Sequence, residues 1–340
     1  MTELFLTPLR KNGVVVSDLS NAIGSVVSRV RVLIIKAGYS ETFDPDTSGI
    51  VSLGDIVRST IILSLLPPVR YHVSWVVDES GAALLDQVSE IDQLIRVTSA
   101  TLDQITRGTY DIVINLEKSP KICRLAEKIQ ARVHIGFRYC DINDRIDTFH
   151  DADHVLSMTT DREFKRQQKK SWSELLFEML GAVYTDAPYL MTPPSGEADL
   201  YDFGLNWQVG KKFPLKGWPK ELWDQLDVSL SKDHRVCWQQ STNDLHGYIN
   251  WINACRVLIT NDSLGLHLAL GLGKKVVSMF GPTSMVEIHD HPNIIKLQPD
   301  VDWSCIPCLE SRCSRDDICM AHISLERVRD AALALLNGSA

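Results

Sequence analysis

At 340 residues the chain has room for two domains with full cores. A hydrophobic share of 44% with 23% charged residues is that of an ordinary globular protein, and the net charge of −8 argues against a general nucleic-acid binder, although local lysine clusters keep the means to hold phosphate. No apolar run approaches the roughly 20 residues of a membrane helix, and the start lacks the long apolar core of a secretory signal. No transmembrane segment is therefore expected, and the expected address is the cytoplasm.

Residues 1–30 carry weak patterns and read as an N-terminal extension packed on the first domain. The run RVLIIK at 31–36 is short, continuous and branched, the signature of a buried strand. A Gly, Ser, Thr, Asp and Pro-rich loop follows over 38–49. A helix then starts near Ser52-Leu53-Gly54-Asp55, continues through Ile56, Val57, Thr60, Ile61 and Leu65, and stops at Pro67-Pro68. A βα rhythm continues from there. Strands are expected at 71–77, 110–116 and 133–137, helices at 81–88 and 119–129, and a strand or turn at 91–97. The polar stretch 141–162 reads as irregular. The basic run 162–170 reads as a solvated helix face, with acceptor contact as the alternative. An amphipathic helix at 172–181 ends at Gly181, and 188–194 reads as a linker.

The second half restarts with a strand at 201–207. A basic loop with Lys211, Lys212 and Lys216 precedes a helix opening at Pro219, a favoured first position. Lysines beside a helix N-terminus suit a diphosphate, though a plain surface loop would read the same way. A strand at 235–239 and a helix at 244–255 lead into RVLITNDSLGLHLALGLGKKVVSMFGPT at 256–283. That stretch is strand, polar turn, helix, strand and break, one unit of a parallel α/β sheet. Such sheets place ligands at the carboxyl ends of their strands, here at Asn261-Asp262-Ser263 and again at Gly281-Pro282-Thr283. A last helix is expected over 324–336. Asp55, at a helix start above the first sheet, reads either as a cap or as a general base. GxGxxG after the first strand, GxxxxGK[ST] and GxSxG are all absent from the sequence, so nicotinamide-dinucleotide, P-loop and esterase readings lose their signatures.

Taken together, Asn261-Asp262-Ser263-Leu264-Gly265-Leu266-His267-Leu268-Ala269 and Phe280-Gly281-Pro282-Thr283 resemble the hallmark of the family 9 glycosyltransferases, the heptosyltransferases of bacterial lipopolysaccharide core and their relatives. Leu264 stands where that family usually has glycine. Ser52-Leu53-Gly54-Asp55, Lys216-Gly217-Trp218-Pro219 and the cysteine run at 305–319 resemble further family segments, so the likeness spans about 31–340 in order. The resemblance implies a GT-B fold, two Rossmann-like parallel-sheet domains facing a cleft, with the acceptor on 31–190 and the nucleotide-sugar donor on 191–340. It implies an inverting, metal-independent transfer from a nucleotide-sugar, ADP-heptose foremost, with no cofactor needed for catalysis. Asp55 would be the base and Lys216 the cation on the leaving diphosphate, with Lys212 as a second cation. Backbone N–H groups around Ser263, Leu264 and Gly265 would supply dipoles. His267 would reach phosphate or ribose unless it only packs its helix, Asp262 would bind sugar hydroxyls or cap the helix, and Thr283 would also face the donor. A lipopolysaccharide core sugar, a protein or a small molecule are all open as acceptor. The competing readings are transfer of another nucleotide-activated sugar and a non-catalytic nucleotide-sugar-binding protein on the same fold. The loop at 38–51 is longer than the family usually has on the acceptor side.

Cys305, Cys308, Cys313 and Cys319 place four thiols within fifteen residues. That density suits a structural iron or zinc, reduced structural thiols, or disulfides. Autotransporter heptosyltransferases, relatives in the same family, bind iron through cysteines, and a role in self-assembly into an oligomer would fit.

Overall fold

The computed structural model describes residues 28–39, 50–240 and 243–338. Of the expected extension 1–30 only 28–30 fall within it, and 40–49 of the long loop lie outside the described residues.

Two sheets form the frame. The first holds β1 (Val30–Ile35), β2 (Tyr71–Val77), β3 (Gln93–Arg96), β4 (Thr109–Asn115), β5 (Gln130–Cys140) and β6 (Arg145–Phe149), ordered β3-β2-β1-β4-β5-β6. All neighbours are parallel except β5 and β6. The second holds β7 (Tyr201–Asn206), β8 (Val236–Trp238), β9 (Cys255–Asn261), β10 (Lys275–Met279) and β11 (Ile294–Leu297), ordered β11-β10-β9-β7-β8 and parallel throughout. In each sheet the order reverses beside the first strand, between β1 and β4 and between β7 and β9. Loops diverge there, and a crevice opens at the carboxyl ends.

The helices are α1 (Leu53–Ser59), α2 (Ser99–Arg107), α3 (Pro120–Lys128), α4 (Asp153–Thr160), α5 (Arg162–Gln167), α6 (Trp172–Met179), α7 (Lys220–Leu230), α8 (Leu245–Asn253), α9 (Leu264–Gly271) and α10 (Leu325–Asn337). None among the described residues is long and apolar enough to cross a membrane. Helix α1 continues as a 3-10 turn at Thr60–Leu65, and the expected helix at 81–88 is a 3-10 turn at Glu79–Leu84. The stretch 141–162, read as irregular, carries β6 and α4; the positive φ of Asp144 makes the tight turn between β5 and β6. Helix α2, with its Thr98–Thr101 capping box, and strand β11 carry no expectation from the sequence; both are short, and β11 alternates too briefly to stand out.

The two halves share one apolar core. Ile56, Val57 and Trp75 of the first pack in the same cluster as Tyr248, Ile252, Leu266 and Phe280 of the second. Full burial of such a side chain contributes on the order of 2 kcal/mol. The segment joining the halves is tied down, with the Leu190 N–H on the Thr60 hydroxyl at 2.8 Å and the Thr192 N–H on the Leu84 carbonyl at 2.8 Å. Helix α1 therefore lies directly against α9, and this contact brings the two sheet ends face to face.

Candidate active site

A cleft of about 300 Å³ runs between the halves. Asp55, Arg58 and Lys165 line one side; Lys212, Lys216, Asp262, Ser263, Leu264, His267, Thr283 and Glu287 line the other. The sequence thus brings together all of its candidate catalytic and donor residues but Gly265. A Cβ at Gly265 would sit 2.3 Å from the Asn206 amide nitrogen and 2.6 Å from the Tyr248 hydroxyl. The lack of a side chain at Gly265 makes room for a polar brace behind the wall.

The brace explains the local shape. Asn206, at the end of β7, donates to the Thr260 hydroxyl at 2.7 Å and to the Ser263 hydroxyl at 3.0 Å, and it accepts from Tyr248 at 2.7 Å. Asn261, at the end of β9, accepts from the Trp218 N–H at 3.0 Å and donates to the Trp207 carbonyl at 3.1 Å. It thereby holds the 207–218 loop against the end of its own strand. Lys216 is delivered to Asp262 by this tie, and the two pair at 2.9 Å. Burial pushes the Asp262 carboxyl up, but Lys216 and then His267 outweigh it and bring it down to about 2.

His267 is buried one turn into α9, with Gly54 of α1 against its ring; a Cβ at Gly54 would lie 2.9 Å from His267 Cδ2. Burial, only partly opposed by Asp262, takes its pKa down to about 4, so the imidazole is neutral at physiological pH. Its Nδ1 is buried without a hydrogen-bond partner. A buried polar atom in that state costs about 1–3 kcal/mol, and at a cleft wall it marks a place for a ligand group.

Asp55 faces this wall from α1. Burial raises its pKa, but Arg58, Lys36 and Lys212, with a hydrogen bond from Ser52, hold the carboxyl well below the usual carboxylate range. Arg58 meets it at 2.6 Å and, through its other terminal nitrogen, meets Glu287 at 2.9 Å. Lys165 of α5 also reaches Glu287 at 2.9 Å. The basic run 162–170 is thus only partly a solvated face: Lys169 and Lys170 are exposed, while Lys165 turns into the cleft. Arg162 pairs with Glu310, and Arg166 donates to the Ser304 carbonyl at 2.6 Å, so α5 clasps the cysteine loop of the opposite half. Lys212 makes a further crossing, to the Ile50 carbonyl at 3.2 Å. Deeper in, Lys36 and Glu117 pair at 3.8 Å with no exposure, and Glu117 accepts the Gly38 N–H at 2.6 Å. Arg58, Lys165, Glu287, Lys36 and Glu117 carry no motif, and apart from the Asp55–Arg58 pair on α1 their partners are remote in sequence.

The four clustered cysteines are free thiols; Cys305 and Cys313 are exposed, while Cys319 packs beneath Gly281 against the second core. Among the described residues no three His, Cys, Asp or Glu side chains are grouped to hold a metal ion. Burial, then the neighbouring thiols, pushes the Cys319 thiol up to about 11. The loop's visible role is as a wall, with Leu309 lining the cleft and its N–H on the Pro282 carbonyl at 2.8 Å.

Residues 241–318 match the sequence model of glycosyltransferase family 9 (heptosyltransferase). That segment of the chain is similar to family 9. It is 33% identical over 86 residues to lipooligosaccharide heptosyltransferase 2 of Campylobacter jejuni, an alignment spanning 25% of this chain and 27% of that relative. The chain thus spans about a quarter of the length of the curated relative it matches. Over the whole chain the fold is shared with a family 9 glycosyl transferase of Veillonella parvula (18% identity, TM-score 0.61, covering 91% and 97% of the two chains). It is likewise shared with the E. coli heptosyltransferase WaaC solved with ADP (15% identity, TM-score 0.60, 88% and 98%) and with TibC, described as an iron-containing dodecameric glycosyltransferase (13%, 0.54, 92% and 77%). The architecture is accordingly GT-B. Its matched segment holds Asp262, Ser263, His267 and Thr283 but neither Asp55 nor Lys216.

Proposed function

We propose that this protein is an inverting glycosyltransferase that moves a heptose from ADP-heptose to an acceptor hydroxyl. The observation that carries the reading is the division of the cleft. An ionised carboxylate, Asp55, stands on one wall, and a lysine, Lys216, stands on the other beside the N-terminus of α9.

In the reaction the acceptor oxygen forms a bond to the anomeric carbon as the bond from that carbon to the diphosphate breaks. The hydroxyl proton goes to Asp55, and ADP leaves with the bonding pair. Asp55 has little proton affinity in the free cleft, so it takes the proton late, when the attacking oxygen has already lost electron density and become acidic. Lys216 carries three donors and can keep Asp262 while one of them turns to the leaving phosphate. Neutral His267 has one nitrogen without a partner, suited to a donor hydroxyl or phosphate oxygen. Support for the heptose donor comes from the family match and from neighbours solved with ADP, with ADP-2-deoxy-2-fluoro heptose and with ADP-D-beta-D-heptose. The cysteine loop is assigned a structural part as cleft wall, which metal analysis of the purified protein checks: a stoichiometric metal lost together with activity contradicts it.

The test is a transfer assay with ADP-heptose, other nucleotide-sugars and a panel of glycan, peptide and small-molecule acceptors, following ADP release. Glycosylated product from ADP-heptose, lost in Asp55→Asn, supports the reading. Tight donor binding with no product from any acceptor would favour a binding protein on the same fold.

A further inference from the structure

The Arg58 guanidinium lies between two carboxylates from opposite halves of the molecule. Its Nη2 meets Asp55 Oδ1 at 2.6 Å within α1, and its Nη1 meets Glu287 Oε2 at 2.9 Å across the cleft. The face of the guanidinium rests on the Trp172 ring, 4.4 Å from the centroid, which fixes the plane of the fork. All three side chains are at least 88% buried. No part of this arrangement follows from a helix cap: Ser52, the cap of α1, makes no side-chain capping bond, and Glu287 lies 229 residues from Arg58.

We infer that Arg58 is the positioning residue of the Asp55 carboxylate, and that Glu287, carried on the donor half, competes for the same guanidinium and so sets how firmly the base is held. The inference rests on Asp55 being the base of the proposed transfer. One cation divided between two carboxylates gives each less than it would give either alone. By drawing on the same guanidinium, Glu287 leaves Asp55 with more proton affinity than it would have beside an undivided cation; without Glu287, Asp55 would keep the whole guanidinium and be a weaker base. Lys165 supplies Glu287 with a second cation, so Glu287 does not depend on Arg58 alone. The other charged groups facing the pair are Lys36, Lys212 and His267 on the Asp55 side and Asp262 on the Glu287 side.

The test needs no substrate. The full chain, labelled with carbon-13 at aspartate and glutamate carboxyls, is titrated by NMR as wild type and as Arg58→Gln, with Asp55→Asn and Glu287→Gln assigning the two signals. Wild type is expected to keep both carboxyls ionised to the acid limit of the folded protein. Removing one guanidinium is expected to bring two titrations into the accessible range, one from each half. Movement of neither, or of only one, overturns the shared-cation inference. A second arm serves if Arg58→Gln does not fold. Glu287→Gln keeps the guanidinium, and in the transfer assay it is expected to lower kcat by about tenfold or more with donor KM within twofold, partly restored by Glu287→Asp. An unchanged kcat overturns the inference. Should wild type transfer no sugar at all, the proposed function fails, and the titration still decides the electrostatic claim.

Discussion

The two walls of the cleft hold their charges in different ways. On the donor side Lys216 and Asp262 belong to one half, 2.9 Å apart, and are set by Asn261 tying the 207–218 loop to the end of β9. On the acceptor side Asp55 is held by Arg58, and Arg58 in turn by Glu287 of the other half. The Lys216–Asp262 pair is complete within its own half; the Asp55–Arg58–Glu287 set is complete only where the halves meet. A pair of the first kind is fixed by local ties alone, whereas a carboxylate of the second kind depends on the packing of one half on the other.

The sharpest break in this comparison is Asp55→Asn. It should lower kcat by about 10²–10⁴-fold while leaving donor affinity unchanged, measured by steady-state transfer and calorimetry. Lys216→Ala acts on the opposite wall. It should weaken donor binding by roughly 10–100-fold, the worth of a charge-assisted hydrogen bond, and by leaving Asp262 unpaired it should cost up to about 3 kcal/mol in denaturant unfolding. Loss of transfer with intact donor affinity in this variant would contradict the division.

His267 gives the comparison a pH signature. Folded, it titrates near 4; unfolded, near 6.5. Between those values the unfolded chain takes up a proton that the folded chain refuses, so stability falls as pH falls from about 6.5 to about 4, on the order of 3 kcal/mol in all. Asp262, depressed to about 2, adds a separate loss only as pH falls below its ordinary 3.8. His267→Gln should flatten the first phase and leave the second, as read by chemical denaturation across pH; an unaltered first phase would place the loss elsewhere. The smallest effect is expected from Gly54→Ala, whose new methyl meets the His267 ring where α1 crosses α9. Overpacking of this kind costs about 1–3 kcal/mol, and it should raise donor KM by widening the contact between walls.

The donor wall was the legible one. Strand, turn, helix and break follow one another within 256–283, and the ligand-facing residues sit at the turns that a parallel sheet leaves open. Asp55 and Lys216 were legible only by resemblance, because one aspartate near a helix start also reads as a cap. Arg58 and Glu287 were not legible at all, since their meaning lies in a contact 229 residues apart. Helix α5 was legible in part: its face is largely solvated as read, but the crossings of Lys165 to Glu287, Arg162 to Glu310 and Arg166 to the Ser304 carbonyl had no signal in the sequence. The cysteine spacing gave thiol density but not direction, and two of the four point to solvent.

The most direct measurement is a calorimetric titration of ADP-heptose into wild type, Asp55→Asn and Lys216→Ala, with turnover followed on the same samples. If the donor lies on one wall and the base on the other, Asp55→Asn binds the donor as wild type does and transfers nothing, while Lys216→Ala binds it more weakly. Absence of donor binding by wild type, or equal loss of affinity in both variants, would contradict that arrangement.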